Sequence, residues 1–231
     1  CAARGVTVTN TPGVLTAATA DFTMALLLGA ARRVGEGERL ISAGRPWAWA
    51  PDFLLGVELE DAQLGILGLG RIGSAVADRA GSFGLRIAYH NRRPVTDRPD
   101  LQYLDLPQLL AWSQLLVVSC PLAPQTRGLL DAGRLALLPS GAIVVSMTAG
   151  VVDEDHLADA LDRGHVAAAA VDNHAREPQV CVRLLAHERA LLTPHLGSAT
   201  VRARRAMGNL AVDDLLAVLV GNRARHQVTT G

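Results

Sequence analysis

Apolar positions along this chain fall into short, nearly continuous runs separated by stretches with a helical period. The runs at 64–67, 85–89, 115–119, 142–146, 166–171 and 190–193 are rich in Leu, Ile, Val and Ala, the pattern of strands buried on both faces. Helical patterns lie between them at 106–112, 134–138 and 154–163, the last closed by Gly164. Ahead of them, 18–42 reads as one long helix. Asp21 lies in its first turn, Phe22, Leu26 and Leu27 form its core stripe, and Gly44 and Pro46 end it. Gly35 and Gly37 weaken its second half by about 1 kcal/mol each relative to alanine. A last helix spans 200–220 and is closed by Gly221. Residues 5–10 read as a short strand ended by the turn Thr11-Pro12-Gly13, and 45–56 as a loop holding Trp47 and Trp49. Strands alternating with helices at this spacing predict an α/β fold, a doubly wound parallel sheet of Rossmann type.

The glycines sharpen that picture. Gly68-Leu69-Gly70-Arg71-Ile72-Gly73 follows the run 64–67 and opens a pattern in which Ile72, Val76 and Ala80 recur on one face. Strand, glycine turn, helix and strand in this order make a dinucleotide-binding unit. The first glycine turns the chain, the second lets backbone approach a pyrophosphate, and the third lets helix and strand pack closely. At the end of the next strand an NAD site usually carries an acid for the ribose 2′-hydroxyl. This chain reads His90-Asn91-Arg92-Arg93-Pro94, with two guanidinium groups and no carboxylate. A 2′-phosphate suits such planar donors, so the expected cofactor is NADP(H) in preference to NAD(H).

Function in such a sheet sits in loops at the carboxyl ends of strands. Those loops read Cys120-Pro121-Leu122-Ala123-Pro124, Met147-Thr148-Ala149-Gly150, Asp172 with Glu177-Pro178, and Pro194-His195-Leu196-Gly197-Ser198-Ala199. One carboxylate and one imidazole thus fall at neighbouring strand ends. His90, His165, His187 and His226 read as plain surface residues. Trp47 and Trp49 fit a substrate mouth, an oligomer surface or core packing equally well. Basic and acidic residues balance at 22 each, which removes any electrostatic reason to expect nucleic acid or an anionic membrane as partner. Cys1, Cys120 and Cys181 have neither disulfide nor metal spacing, so no metal is expected and a reducing cytoplasm suits the chain. No apolar run is long enough for a membrane helix. With aromatics at 3%, the core must be aliphatic and alanine-rich.

These segments resemble the D-isomer-specific 2-hydroxyacid dehydrogenases, in particular their glyoxylate/hydroxypyruvate reductase branch. The resemblance runs through Val8–Thr16, Trp47-Ala48-Trp49-Ala50-Pro51, the glycine unit, Tyr89 to Arg93, Cys120-Pro121-Leu122 with Thr126-Arg127, Val152-Asp153-Glu154, Glu177-Pro178 and Thr193 to Thr200. It implies two α/β domains. Residues 1–18 would be a remnant of a flavodoxin-like substrate domain, 19–198 the dinucleotide-binding domain, and 199–231 a helix returning to the first, with the chain N-terminally truncated. It implies reduction of a small 2-oxo acid to a D-2-hydroxy acid, with His195 as the acid that protonates the carbonyl oxygen and Glu177 orienting its ring. Asp172 would accept from the nicotinamide amide. The remaining cofactor contacts would come from Gly68, Gly70, Arg71, Ile72, Gly73, Asn91, Arg92, Arg93, Cys120, Pro121, Thr126, Met147, Thr148, His195 and Gly197. A homodimer is implied, with 18–42 and 47–56 as interface elements.

Two departures cut against activity. The family places a substrate-clamping arginine where this chain has Ala149, and an apolar and acidic stretch where it has Asn173-His174-Ala175-Arg176. The alternative is therefore a dinucleotide-binding paralogue or fragment that is impaired or non-catalytic.

Overall fold

A computed structural model describes residues 1–228. After a single 3-10 turn at Ala2–Arg4 come helix α1 (Thr16–Ala31) and helix α2 (Val34–Ser42). Strand β1 (Gln63–Leu67), α3 (Arg71–Gly81), β2 (Arg86–His90) and a two-residue β3 (Gln102–Tyr103) follow. The chain continues through α4 (Leu106–Trp112), β4 (Leu115–Val118), α5 (Ala132–Leu135), β5 (Ala142–Ser146) and α6 (Glu154–Asp162). It ends with β6 (Val166–Val171), α7 (Val182–Ala186), β7 (Ala190–Leu192) and α8 (Val201–Leu219). The seven strands are all parallel, in the order β3-β2-β1-β4-β5-β6-β7. The doubly wound sheet read from the sequence is the observed fold.

Period-two alternation along each strand divides the core. Ile66, Val117, Val145 and Ala170 face Ala20, Leu27, Val76 and Ala80 of α1 and α3. Leu116, Val118, Val144 and Ala169 face Leu109, Leu135, Leu157 and Leu184 of the helices on the other side. Polar side chains start several helices by accepting their free N–H groups. Asp105 accepts from Gln108 N, Asp131 from Arg134 N, Asp153 from His156 N, and Thr200 from Ala203 N. The strand order reverses beside β1, whose neighbours β2 and β4 lead away in opposite directions. A crevice opens at that switch point.

Several expectations need correction. The helix over 18–42 is two helices, broken where Arg33 takes a left-handed φ of 55°. The break follows from packing. The Val57 N–H takes the Ala31 carbonyl at 2.8 Å, and a Cβ on Gly56 would overlap that same oxygen, so the following loop is seated on the end of α1. Arg33 is held in its turn by Glu36 at 2.6 Å. The segment 5–10 is not a strand; Thr9 makes a single antiparallel bridge to Gln227. The helix over 134–138 lies earlier, at α5, because Asp131 caps it. The short β3 and α7 have no periodicity long enough to signal them.

Candidate active site

The crevice beside β1 has a volume of about 940 Å³. Gly68 and Gly70 after β1, Asn91, Arg92 and Arg93 after β2, and Cys120, Pro121 and Thr126 after β4 all line it. The three glycines are needed for different reasons. Gly68 has a φ of 104°, and a Cβ there would overlap the Cys120 backbone. A Cβ on Gly73 would overlap the Gly68 carbonyl oxygen. A Cβ on Gly70 would meet no protein atom within 4 Å. Protein packing thus demands the first and third glycines, whereas the second leaves space in front of α3. The first-turn N–H groups of that helix, at Arg71 and Ile72, have no partner within the helix. A diphosphate fits this cradle.

Asn91 fixes the turn. Its Oδ1 accepts from Leu69 N at 2.7 Å and its Nδ2 donates to Leu69 O at 3.1 Å. Gly68 N also donates to His90 O at 3.0 Å, so the glycine turn and the end of β2 form one unit. Arg92 and Arg93 are exposed on the crevice wall. Neighbouring Arg98, by contrast, is engaged by Asp78 at 3.0 Å and Asp100 at 2.8 Å. On the opposite wall the Thr126 hydroxyl donates to Pro121 O and accepts from Ala123 N, both at 2.8 Å, which shapes the proline loop. Burial pushes the Cys120 thiol up to about 11, which disfavours the thiolate that a nucleophile requires.

His195 and Glu177 lie at the carboxyl edge of the same sheet. His195 Nδ1 stands 3.1 Å from Glu177 Oε2. The other Glu177 oxygen accepts from His174 N at 3.0 Å. The His195 hydrogen bond holds the Glu177 carboxyl below the ordinary glutamate range; burial opposes this more weakly, and the His174 N–H adds to it. His195 has a φ of 56°, a left-handed conformation costing about 1 kcal/mol or more for a side chain of this kind. Asp172 holds it there. That carboxylate is fully buried; it accepts from Thr193 Oγ1 and Leu196 N at 2.7 Å and from Gly197 N at 2.9 Å. The Asp172 carbonyl takes His195 N at 2.9 Å. Met147 packs beside Gly197, where a Cβ would stand 3.3 Å from its methyl carbon. Thr148 is half-buried, and its carbonyl accepts from Ser146 Oγ at 3.3 Å.

Two contributors were not singled out from the sequence as site residues. Asn173 Nδ2 lies 3.1 Å from His195 Nε2. His174 is buried, with Nε2 3.1 Å from Thr193 O, and ties the Glu177 segment to the end of β7. In the sequence they stand out only as a departure from the resemblance, immediately after Asp172 at a strand end. Of the histidines read as plain, His226 instead pairs with buried Asp214 at 3.0 Å, and His90 lines the crevice with Nδ1 2.9 Å from Leu104 O. Trp47 and Trp49 are 56% and 80% exposed, which rules out core packing. Ala149 is half-buried, and the adjoining Gly150 carbonyl accepts from Gly128 N at 2.8 Å. Among the described residues no arginine bonds to His195 or Glu177, and no cluster of three or more metal-ligating side chains occurs. No described helix is long and apolar enough to cross a membrane.

Comparison with known proteins agrees with this geometry. The family model of the D-isomer specific 2-hydroxyacid dehydrogenase NAD-binding domain matches residues 24–197. A glyoxylate reductase of Aeropyrum pernix is 43% identical over 231 residues, covering 96% of this chain and 69% of that protein. One from Pyrococcus horikoshii is 40% identical over 222 residues, covering 93% and 66%. The chain therefore spans about two thirds of the length of these relatives. An NADPH-dependent glyoxylate/hydroxypyruvate reductase from Sinorhizobium meliloti, solved with NADP and malonate, superposes with a TM-score of 0.89 at 34% identity, covering 99% of this chain and 72% of that one. With a dinucleotide crevice at β1, a His–Glu pair at the carboxyl edge of the same sheet and a match across most of its length, this chain belongs to the D-isomer specific 2-hydroxyacid dehydrogenases.

Proposed function

We propose that the chain carries the cofactor-binding and acid–base parts of an NADP-dependent reductase that converts small 2-oxo acids of the glyoxylate or hydroxypyruvate type to D-2-hydroxy acids. The observation that carries this reading is the His195–Glu177 pair at the carboxyl edge of the same sheet whose β1 end holds the dinucleotide crevice. Gly68, Gly70, Arg71, Ile72 and Gly73 would hold the diphosphate at the start of α3, and Arg92 and Arg93 the 2′-phosphate. A bound NADPH supplies the hydride for the carbonyl carbon. His195 passes the proton on Nε2 to the carbonyl oxygen, and Glu177 holds Nδ1 and stabilises the imidazolium from which that proton leaves. Asp172 keeps the loop in its left-handed turn, and with three donors already on its carboxylate we assign it chiefly that role.

Residues 1–18 and 199–231 are assigned to the substrate domain in this reading, and 19–198 to the cofactor domain. Exposed Trp47, Trp49 and Leu55, with Val34 and Ile41 of α2, suit a homodimer contact. The three free cysteines suit a reducing cytoplasm.

Ala149 supports a second reading, in which the fold binds dinucleotide with little or no turnover, because alanine can neither clamp a carboxylate nor polarise a carbonyl. NADPH oxidation with glyoxylate and hydroxypyruvate separates the two. The reductase reading expects measurable turnover, abolished in His195→Ala with NADPH binding retained, and a higher kcat/KM in Ala149→Arg. Tight NADPH binding with no turnover in either the parent or Ala149→Arg would establish the second reading instead.

A further inference from the structure

Two groups bracket the His195 ring, and they make opposite demands on it. Glu177 Oε2 stands 3.1 Å from Nδ1 and Asn173 Nδ2 3.1 Å from Nε2. Glu177 is anchored by His174 N, and Asn173 directly follows Asp172, the buried residue that organises the His195 loop. A carboxylate only accepts, so Nδ1 carries its proton in both states of the ring. The amide nitrogen only donates, so it satisfies Nε2 only while that atom holds a lone pair. An imidazolium would point a second N–H at the amide N–H groups. Glu177 therefore favours the charged ring and Asn173 the neutral one.

Other titratable groups nearby do not engage the ring. Asp172 is taken up by Thr193 and two backbone N–H groups. His174 Nε2 faces the Thr193 carbonyl, and its Nδ1 lies 3.9 Å from Glu154 of α6. Neither bonds to the His195 ring.

We propose that Asn173 is a positioning residue that caps Nε2 of His195 in the free protein, holding the ring as its Nδ1-protonated neutral tautomer. Before Nε2 can carry the proton, the amide must turn to present Oδ1 or give way to a substrate oxygen. Asn173 thus counterweights Glu177 and sets how readily the acid is loaded. The catalytic consequence rests on the acid–base role proposed for His195; the ring chemistry does not.

The test is the ring-nitrogen NMR spectrum of the histidine-labelled chain, followed through a pH titration. Asn173→Ala should raise the His195 titration midpoint by about 0.5–1 unit, the size of one neutral hydrogen bond lost from the unprotonated state. Asn173→Asp should raise it further, because a carboxylate there accepts from Nε2–H. Glu177→Gln should lower it. In the reduction assay, Asn173→Ala should stay active to higher pH than the parent. An unchanged or lowered midpoint in Asn173→Ala, with Glu177→Gln still shifting it down, would overturn the role of Asn173 and leave the pair intact. No response to Glu177→Gln would instead remove the pair itself.

Discussion

Replacing Glu177 by Gln keeps a hydrogen-bond acceptor beside His195 Nδ1 but removes the charge that favours imidazolium. Reduction needs the protonated ring, so activity should fall off at lower pH in Glu177→Gln than in the parent, as a pH–rate profile would show. A shift to higher pH would contradict the pairing. The Glu177 carboxyl is itself held below its ordinary range, so the charge persists as pH falls through the usual glutamate titration and is lost only below it. Arg92 and Arg93 pose a separate question at this scale. Each charge-assisted contact to a phosphate is worth about 1.5–3 kcal/mol. NADPH should therefore bind more tightly than NADH, and changing both arginines to serine should erase the difference in a binding titration. Equal affinities in the parent would exclude the 2′-phosphate assignment. Both arginines were legible in the sequence because they follow a strand, and His195 and Glu177 because they fall near strand ends within segments that carry the family resemblance. Asn173 and His174 were seen only as a departure from a resemblance, since a ring's second neighbour depends on where a loop turns.

The glycine turn and α3 act as one element, and its three glycines should respond differently to the same change. Gly73→Ala forces a Cβ against the Gly68 carbonyl and should cost about 1–3 kcal/mol of stability in denaturant unfolding. Gly70→Ala meets nothing within 4 Å, so stability should hold while dinucleotide affinity drops, because the added methyl occupies space left for the diphosphate. Equal loss of stability in both variants would show that the second glycine also serves packing. The pattern of three glycines was readable, but which of them the protein needs for itself was not. That distinction depends on how near Cys120 and Gly68 O come, the first at the end of the neighbouring strand and the second across the turn itself. The break between α1 and α2 was hidden for a similar reason. Helical periodicity continues past Arg33, and a loop 24 residues downstream ends the first helix by taking the Ala31 carbonyl through Val57 N.

Across the whole molecule, the two ends of the chain meet. Asn10 N donates to His226 O at 3.2 Å and Val228 N to Val8 O at 2.8 Å. Asp214 of α8 anchors this pairing, bonding His226 Nδ1 at 3.0 Å and Arg225 N at 2.9 Å. Burial pushes the Asp214 carboxyl up, but these hydrogen bonds together outweigh it and hold the group below its ordinary range. The contribution to docking is therefore present above the ordinary aspartate range and lost only as pH falls through the depressed value. Hydrogen exchange at the Asn10 and Val228 amides should stay slow into mild acid and quicken below it. In Asp214→Ala it should be fast at neutral pH, with the sheet amides unaffected. Slow exchange in that variant would place the anchor elsewhere.

The sequence by itself determined the parallel sheet and the glycine turn of the dinucleotide crevice, and it put His195 and Glu177 near neighbouring strand ends. These three follow from local signals, apolar runs too short for helices, glycines at a strand end and polar residues beyond strands, whereas the catalytic roles of His195 and Glu177 came from the family resemblance. Tertiary structure alone decided the split of the leading helix, the pairing of the chain ends through Asp214 and His226, and the two-sided grip on the His195 ring. Those features depend on atoms brought together from distant positions, where packing and hydrogen-bond satisfaction outweigh the local pattern.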